Sequence, residues 1–126
     1  MSNDVHAPQV DGPTLARITN GIVRLYAQGY GKGPVQARSY LAGDVLLCVL
    51  QDGLTPVELT LVARGQGAAV HTMRRAWQEA MRQDFQEVVE RAIGRRVRAF
   101  LSQISLDPDV HIEVFMLDPP LARAEG

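Results

Sequence analysis

The sequence predicts an α+β fold in which two β-hairpins form a four-stranded, largely antiparallel sheet with helices packed on one face. Two pairs of short apolar stretches predict the hairpins, because each pair is joined by turn-forming residues, at positions 42–44 and 107–109. Stretches with apolar residues at helical spacing precede the first pair and separate the two pairs. The predicted order of elements is therefore α-β-β-α-α-β-β.

Length and composition predict a single globular domain. The chain has 126 residues, of which 46% are hydrophobic and 21% are charged, and its formal net charge is -1. A chain of this length can bury a core without metals or disulfides. Its net charge does not show the excess of basic residues that is typical of proteins that bind nucleic acid. We expect a flexible N-terminal arm at residues 1–12, one domain at 13–118 and a flexible C-terminal tail at 119–126.

The sequence also predicts a cytoplasmic protein that does not insert into a membrane. Its longest apolar run, residues 45–50, is far shorter than the roughly 20 residues that span a bilayer. The first residues lack both the basic and the apolar regions of an export signal. A role beside a membrane is still compatible with these features.

The first helix is predicted over residues 13–28, with Asp11 or Thr14 as its N-cap. Gly21 lies inside the helical pattern, although glycine costs about 1 kcal/mol relative to alanine at such a position. We therefore expect Gly21 to allow close packing against another element. The apolar stripe of this helix consists of Leu15, Ile18, Ile22, Leu25 and Tyr26.

A glycine-rich loop follows this helix. Its spacing matches neither the dinucleotide-binding fingerprint nor the P-loop, which favours a structural turn over a phosphate site. Lys32 in the loop and Arg38 shortly after it leave a small-anion site open as an alternative, and they are the candidate ligand-binding residues. The residues that break the helix are Gly29, Gly31, Gly33 and Pro34.

The first hairpin is predicted from strands at residues 35–41 and 45–50, with Gly43 and Asp44 in the turn between them. The first strand alternates in polarity, which indicates one buried and one wetter face. Cys48 lies in the apolar run of the second strand and is the single cysteine of the chain. We expect a buried, unreactive thiol there.

A helix start is predicted at Thr55. Thr55 can serve as the N-cap, Pro56 occupies the first helical position, and Glu58 at the third position can accept a hydrogen bond from the Thr55 amide. This capping role is favoured over a role for Glu58 as a general base.

A long helix is predicted after the glycines at 65 and 67, with Gly94 as its C-cap. At 1.5 Å per residue it would extend about 40 Å, more than a small sheet needs for cover, so its overhang predicts a homodimer. The predicted apolar stripe is Val70, Met73, Trp77, Met81, Phe85, Val88 and Ala92. The predicted solvent-facing residues are Arg74, Arg75, Gln78, Glu79, Arg82, Gln86, Glu87 and Glu90.

The sequence predicts no catalytic, metal or cofactor site. His6, His71 and His111 lie on three separate elements, without the spacing of metal ligands. In the last strand, at residues 110–117, His111 and Glu113 share one face and are expected to form an exposed polar pair. An enzyme would require a pocket in which His111, Glu113 or Cys48 converges with another polar group.

The chain resembles the MpsC-like family of small bacterial proteins over about residues 15–118. The resemblance implies a link to a sodium-translocating or membrane-potential-generating system, or to inorganic-carbon uptake beside membrane partners. It also implies a histidine and an aspartate on the third strand, where this chain has Leu101 and Gln103, so a function that needs them would be lost or changed. The resemblance is carried by Gly31, Gly33, Pro34, Arg38, Gly43, Asp44, Leu54, Thr55, Pro56, Val57, Glu58 and Gly94, followed by the closing hairpin.

The leading functional hypothesis is a non-catalytic accessory or interaction protein of the MpsC-like type, with a membrane protein as its partner. The alternative is a regulatory domain that binds a small anion or another small ligand at Lys32 and Arg38. An enzyme is the third hypothesis, and no partner role for nucleic acid is expected.

Overall fold

A computed structural model describes residues 11–119 of the chain, and these form four helices and a four-stranded sheet. The elements are α1 (Gly12–Tyr30), β1 (Gln36–Ala42), β2 (Val45–Gln51), α2 (Pro56–Ala63), α3 (Gly67–Ala80), α4 (Arg82–Ile93), β3 (Val97–Leu106) and β4 (Asp109–Leu117). The predicted arm and tail lie outside the described residues except at their inner ends, where Gly12 already belongs to α1.

The sheet is fully antiparallel and its strand order is β1-β2-β4-β3. Each hairpin pairs its own two strands, and β4 pairs with β2, so the last strand of the chain lies in the centre of the sheet. The predicted α+β class with two hairpins in one antiparallel sheet is confirmed. The strand order, which the sequence left open, follows from the β2–β4 pairing.

One face of the sheet, here called the inner face, is covered by the helices. Along β2 the buried side chains on this face are Leu46, Cys48 and Leu50, and their partners on β4 share the same face. The core lies between this face and the buried stripes of α1 and α4. It contains Ile18, Ile22, Tyr26, Leu46, Leu50, Phe85, Val89, Phe100, Phe115 and Leu117.

The ends of α1 follow the predicted capping chemistry, although the helix is longer than predicted. Asp11 is the N-cap and its side chain accepts a hydrogen bond from the Thr14 amide at 2.8 Å. At the other end Gly31 takes the left-handed conformation, with φ 74°, and its amide donates to Ala27 O. The helix therefore includes Gly29 and ends at Tyr30.

The prediction of one long helix before Gly94 is wrong, because Met81 divides the segment into α3 and α4. Met81 has φ -98° and ψ 6°, outside the α-helical range. The two helices differ in their main neighbours: α3 packs most extensively against α2, whereas α4 packs most extensively against α1. No glycine or proline marks the break, and apolar periodicity continues across it, so tertiary packing decides where the helix turns. Gly94 does end α4, with φ 73°.

The loops at one end of the sheet are joined by hydrogen bonds between distant segments. The Asp52 amide donates to Asp109 O at 3.0 Å, and the Leu54 amide donates to the Asp109 carboxylate at 2.9 Å. These bonds fix the start of α2 relative to the turn between β3 and β4. The polar groups of α2 thereby acquire a defined position beneath α3.

Close contact between α1 and α4 confirms the expectation for Gly21. A Cβ atom at this position would lie 2.7 Å from Val88 Cγ1, which is shorter than van der Waals contact. Only glycine allows the two helices to approach this closely without displacing a β-branched side chain of limited mobility.

Replacement of Gly21 by alanine is expected to destabilise the protein by about 1–2 kcal/mol through overpacking. In a Val88→Ala background the same substitution should be neutral or stabilising, because the clash is gone and alanine favours the helix by about 1 kcal/mol. Urea unfolding of the four proteins of this double-mutant cycle measures the coupling. Gly12→Ala is the control, since a Cβ there meets nothing within 4 Å. Equal costs in both backgrounds would contradict the assigned contact.

Candidate functional site

The start of α2 carries a buried ion pair in addition to the predicted cap. Thr55 and Glu58 form both hydrogen bonds of a capping box. The Glu58 carboxylate also accepts from Arg74 of α3, with Nε at 2.7 Å and Nη2 at 2.5 Å. Burial alone would raise the pKa of Glu58, but the hydrogen bonds from Arg74 and the Thr55 amide together lower this pKa below its ordinary value.

Arg74 and Gln78 were predicted to face solvent, and this prediction is wrong. Arg74 is 1% exposed and Gln78 is 8% exposed. Besides Glu58, the Arg74 guanidinium donates to Gly53 O at 3.2 Å and lies 3.6 Å from the centre of the Tyr30 ring. Arg74 and Gln78 face inward because two buried carboxylates, Glu58 and Glu113, lie beneath α3.

Tyr26, Gln78 and Glu113 form a buried polar cluster between α1, α3 and β4. The Tyr26 hydroxyl donates to Glu113 Oε2, and the Gln78 amide nitrogen donates to both the Tyr26 oxygen and Glu113 Oε2, the latter at 2.9 Å. Ser102 lies opposite Glu113 on β3, and its hydroxyl lowers the pKa of this carboxyl, against the larger effect of burial. The remaining oxygens, Gln78 Oε1 and Glu113 Oε1, are buried without a protein partner.

His111 and Glu113 were predicted to be an exposed pair, and this prediction is also wrong. They lie on the inner face of β4 and are 3% and 0% exposed. Burial raises the pKa of Glu113 to about 7, because an ionised carboxylate is costly in this environment. Burial, together with the nearby Arg74 charge, lowers the pKa of His111 to about 3. His111 is therefore neutral at physiological pH, and its Nε2 atom is buried without a protein partner.

Cys48 faces the same interior but lacks the properties of a nucleophile. It lies directly opposite Glu113 across the β2–β4 pairing and contacts the Ser39 hydroxyl at 3.2 Å. Ser39 in turn contacts Thr19 of α1 at 2.6 Å. Burial raises the pKa of the Cys48 thiol to about 11, so the thiolate form is scarce at neutral pH. The prediction of a buried thiol is confirmed.

A cleft of about 210 Å³ lies between α3 and the edge strand β3. Of the residues that line it, Gln78 and His111 are buried and Ser102 is half-buried, and these are here called its inner end. Arg75 is exposed and Arg82 is half-buried, and these are called its mouth. The sequence could not show this cleft, because α3 and β3 are brought together only by the fold.

The two predicted ligand-binding residues lie in different local environments. The Lys32 ammonium donates to the backbone carbonyls of Asp52, at 2.6 Å, and Gly33, at 3.3 Å, so it joins two loops. Arg38 lies on the opposite side of the sheet from the helices, in a shallow hollow with Tyr40 and Gln51. Lys32 does not line that hollow. No contact within residues 11–119 tests a small-anion site at Lys32 and Arg38, so this site stays a prediction.

The face of the sheet opposite the helices, here called the outer face, is largely apolar. In the register Val45↔Met116, Leu47↔Val114 and Val49↔Ile112, the facing side chains of β2 and β4 form its centre. Leu101 and Gln103 lie on this face of β3, opposite Val114 and Ile112, so the departure from the family pattern alters this surface. The most exposed apolar side chains here are Tyr40 at 49%, Leu101 at 59% and Ile112 at 37%.

Comparison with protein families decides the relationship of this chain. A family model described as "Na+-translocating membrane potential-generating system (MpsC)" matches residues 12–119. The chain belongs to the MpsC family. No curated protein and no solved structure matches this MpsC-family chain significantly. Among the helices within residues 11–119 of this MpsC-family protein, none combines the length and apolar character needed to cross a bilayer.

Breaking the buried ion pair of this MpsC-family protein is expected to be costly. Arg74→Met leaves the Glu58 carboxylate buried without its counter-ion, which should lower the free energy of unfolding by about 3–5 kcal/mol. Arg75→Met, on the exposed side of the same helix, should change it by less than about 0.5 kcal/mol. Urea unfolding measures both. The double variant Glu58→Gln/Arg74→Met should recover part of the loss, and no recovery would contradict the assigned pairing.

Titration of Glu113 is expected to make stability fall as pH rises. The unfolded carboxyl ionises near 4.5, whereas the folded protein keeps its pKa at about 7, so the protonated form stabilises the fold. This contribution is complete below pH 4.5 and is lost as pH rises through 7. The free energy of unfolding, taken as wild type minus Glu113→Gln, should therefore decrease by on the order of 3 kcal/mol between acid and mildly alkaline pH.

The comparison with Glu113→Gln isolates this carboxyl from the other buried titrating group. His111 has a lowered pKa, so its contribution is present above its unfolded pKa and is lost as pH falls, the opposite sign. Because both proteins retain His111, its effect cancels in the difference. Urea unfolding at a series of pH values provides the data, and a difference that is constant with pH would show that Glu113 has the same pKa in the folded and the unfolded protein.

Proposed function

We propose that this protein is a non-catalytic accessory or interaction protein of the MpsC type that supports a membrane ion or inorganic-carbon transport system. The description of the family, a Na+-translocating membrane potential-generating system, supports this role. A cytoplasmic location is part of the same proposal. So is contact with a membrane-protein partner in place of insertion into the bilayer.

The observation that carries the proposal is the uncovered outer face of the sheet. The helices pack on the inner face, and no helix within residues 11–119 covers the side chains of β2 and β4 on the other side. Soluble monomers rarely expose large contiguous apolar patches, and such patches mark interaction surfaces. The edges of this face are more polar, with Gln36, Arg38 and Gln103, as expected for the rim of an interface.

A homodimer is a further part of the proposal, but the surface expected for it changes. The sequence argument needed one helix of about 40 Å that overhangs its own sheet. That helix is divided at Met81, and the buried residues of α3 and α4 face the interior of their own chain. The outer face is thus the surface that a second copy and a membrane partner would both use, and an experiment has to separate them.

Site-specific photo-cross-linking from the outer face tests the proposed contact. A photoreactive phenylalanine analogue at Tyr40, introduced in the native host, should yield a cross-link to a polytopic membrane subunit of an ion-translocating system, identified by mass spectrometry. The same analogue at Glu87, on the exposed side of α4, is the control. Ile112→Lys should weaken the Tyr40 cross-link about tenfold, because the interface would have to desolvate a charge.

The other outcomes decide against a membrane partner at this face. A cross-link to a second copy alone, together with a dimer mass in light scattering, would assign the face to self-association. A cross-link within one chain would assign it to another segment of that chain. A cross-link that persists unchanged in Ile112→Lys would show that the contact does not include the centre of the outer face.

A further inference from the structure

Two side chains that line the α3–β3 cleft each carry a buried polar atom without a hydrogen-bond partner in the protein. The two atoms are Gln78 Oε1 and His111 Nε2, on side chains that are 8% and 3% exposed. Leaving a buried donor or acceptor unpaired costs about 1–3 kcal/mol, so native proteins rarely retain two at one place without something that satisfies them.

The chemistry of these atoms restricts what can satisfy them. The nitrogen of the Gln78 amide already donates to Tyr26 and Glu113, so the free oxygen requires an N–H or O–H donor. His111 offers one more hydrogen-bonding nitrogen beside it. The inner end of the cleft therefore suits a hydroxyl or amine group and disfavours a bare anionic oxygen facing the Gln78 carbonyl.

The mouth of the cleft has the opposite preference. Arg75 is exposed there, and Arg82 lies nearby with its guanidinium over the Phe100 ring and bonded to Phe100 O at 3.1 Å. Among residues 11–119, Glu79 is the one carboxylate that lines the cleft, and it pairs with Arg82 at 3.1 Å. Since Arg74 is neutralised by Glu58, the lining retains the positive charge of Arg75 and favours an anionic group.

We propose that the α3–β3 cleft binds a small organic anion that also carries a hydroxyl or amine donor. The donor reaches the Gln78 carbonyl and His111, and the anionic group lies between Arg75 and Arg82. The cleft volume of about 210 Å³ is below the 300–1,000 Å³ of pockets for drug-sized molecules. The ligand is therefore a small molecule, such as a short hydroxycarboxylate or a small hydroxylated phosphate ester.

This site goes beyond the accessory role and is independent of the outer face. It lies on the helix side of the sheet at the edge strand, whereas the outer face is formed by the opposite side of the central strands. Occupancy of the cleft gives the protein a way to sense a metabolite. Failure of either experiment leaves the other interpretable, because the two surfaces share only side chains at the β3 edge.

Matched pairs of probes that differ by one hydroxyl test the proposal directly. The carboxylate probes are glycolate with acetate, L-lactate with propionate, and L-malate with succinate. The pair of glycerol 2-phosphate and inorganic phosphate tests whether the anionic group can be a phosphate. NMR titration of the full chain follows the Gln78 side-chain amide and the Arg82 Nε signals. At least one hydroxylated probe should shift both signals and bind about tenfold more tightly than its partner, which corresponds to one satisfied hydrogen bond.

Substitutions locate the binding and control for nonspecific charge effects. Arg75→Gln should lower the affinity for the probe about tenfold, because it removes one charge-assisted contact without disturbing buried groups. Arg24→Gln, at an exposed position in the middle of α1, is the matched control and should have no effect. Gln78→Met should abolish the preference for the hydroxylated member of the pair, provided that its NMR spectrum shows the folded protein.

Three results would overturn the proposal. If no probe at millimolar concentration shifts the cleft signals, water alone fills the cleft. If the hydroxylated and unhydroxylated probes of a pair bind equally, the site is a simple anion site and Gln78 does not accept a hydrogen bond from the probe. If Arg24→Gln weakens binding as much as Arg75→Gln, the probes associate with the net surface charge and not with the cleft.

Discussion

Two carboxylates buried beneath α3, Glu58 and Glu113, constrain how that helix can pack on the rest of the fold. A buried carboxylate is tolerated only when it is paired or kept protonated. Glu58 is paired by Arg74, and Glu113 is held in a network with Tyr26 and Gln78 and keeps its proton to about pH 7. Since Arg74 and Gln78 occupy one side of α3, a single orientation of that helix satisfies both carboxylates. The position of the α3–β3 cleft follows from this orientation.

The buried network also explains why α3 and α4 are separate helices. α3 must place its polar side chains over Glu58 and Glu113, whereas α4 places Phe85 and Val89 against α1 and the sheet. A straight helix presents one continuous stripe of side chains to a single surface. The interruption of the helix at Met81 allows α3 and α4 to pack against different surfaces. Aromatic packing supports the junction, with Tyr26 and Trp77 centred 5.1 Å apart and Trp77 and Phe85 5.6 Å apart.

The two sides of the sheet differ in what they offer to other molecules. Within residues 11–119 the inner face is covered by helices, and two of its polar side chains, Ser102 and His111, line the cleft at its edge. The outer face is open and apolar along the central strands, which suits a protein surface better than a small ligand. The two proposals thus place macromolecular contact and small-molecule binding on separate parts of one domain of the MpsC family.

The sequence by itself determined the features that depend on neighbouring residues. The capping box of Thr55 and Glu58, the C-cap at Gly94, the two hairpins and the close approach at Gly21 all follow from residue type and short spacing. The family could also be recognised from such local motifs. These interactions form between residues a few positions apart, so their pattern is visible along the chain.

Only the tertiary structure decided which polar residues are buried. Tyr26 and Glu113 are 87 positions apart, and Glu58 and Arg74 are 16 apart, so no local pattern indicates that they meet. In β4 both alternating sets of side chains contain apolar residues, and the set with His111 and Glu113 faces inward although it is the more polar. Tyr26 of α1 and Gln78 of α3 stabilise this inward orientation by hydrogen bonding to Glu113. The energy of a buried carboxylate is set by the groups around it in space and not by its neighbours in sequence.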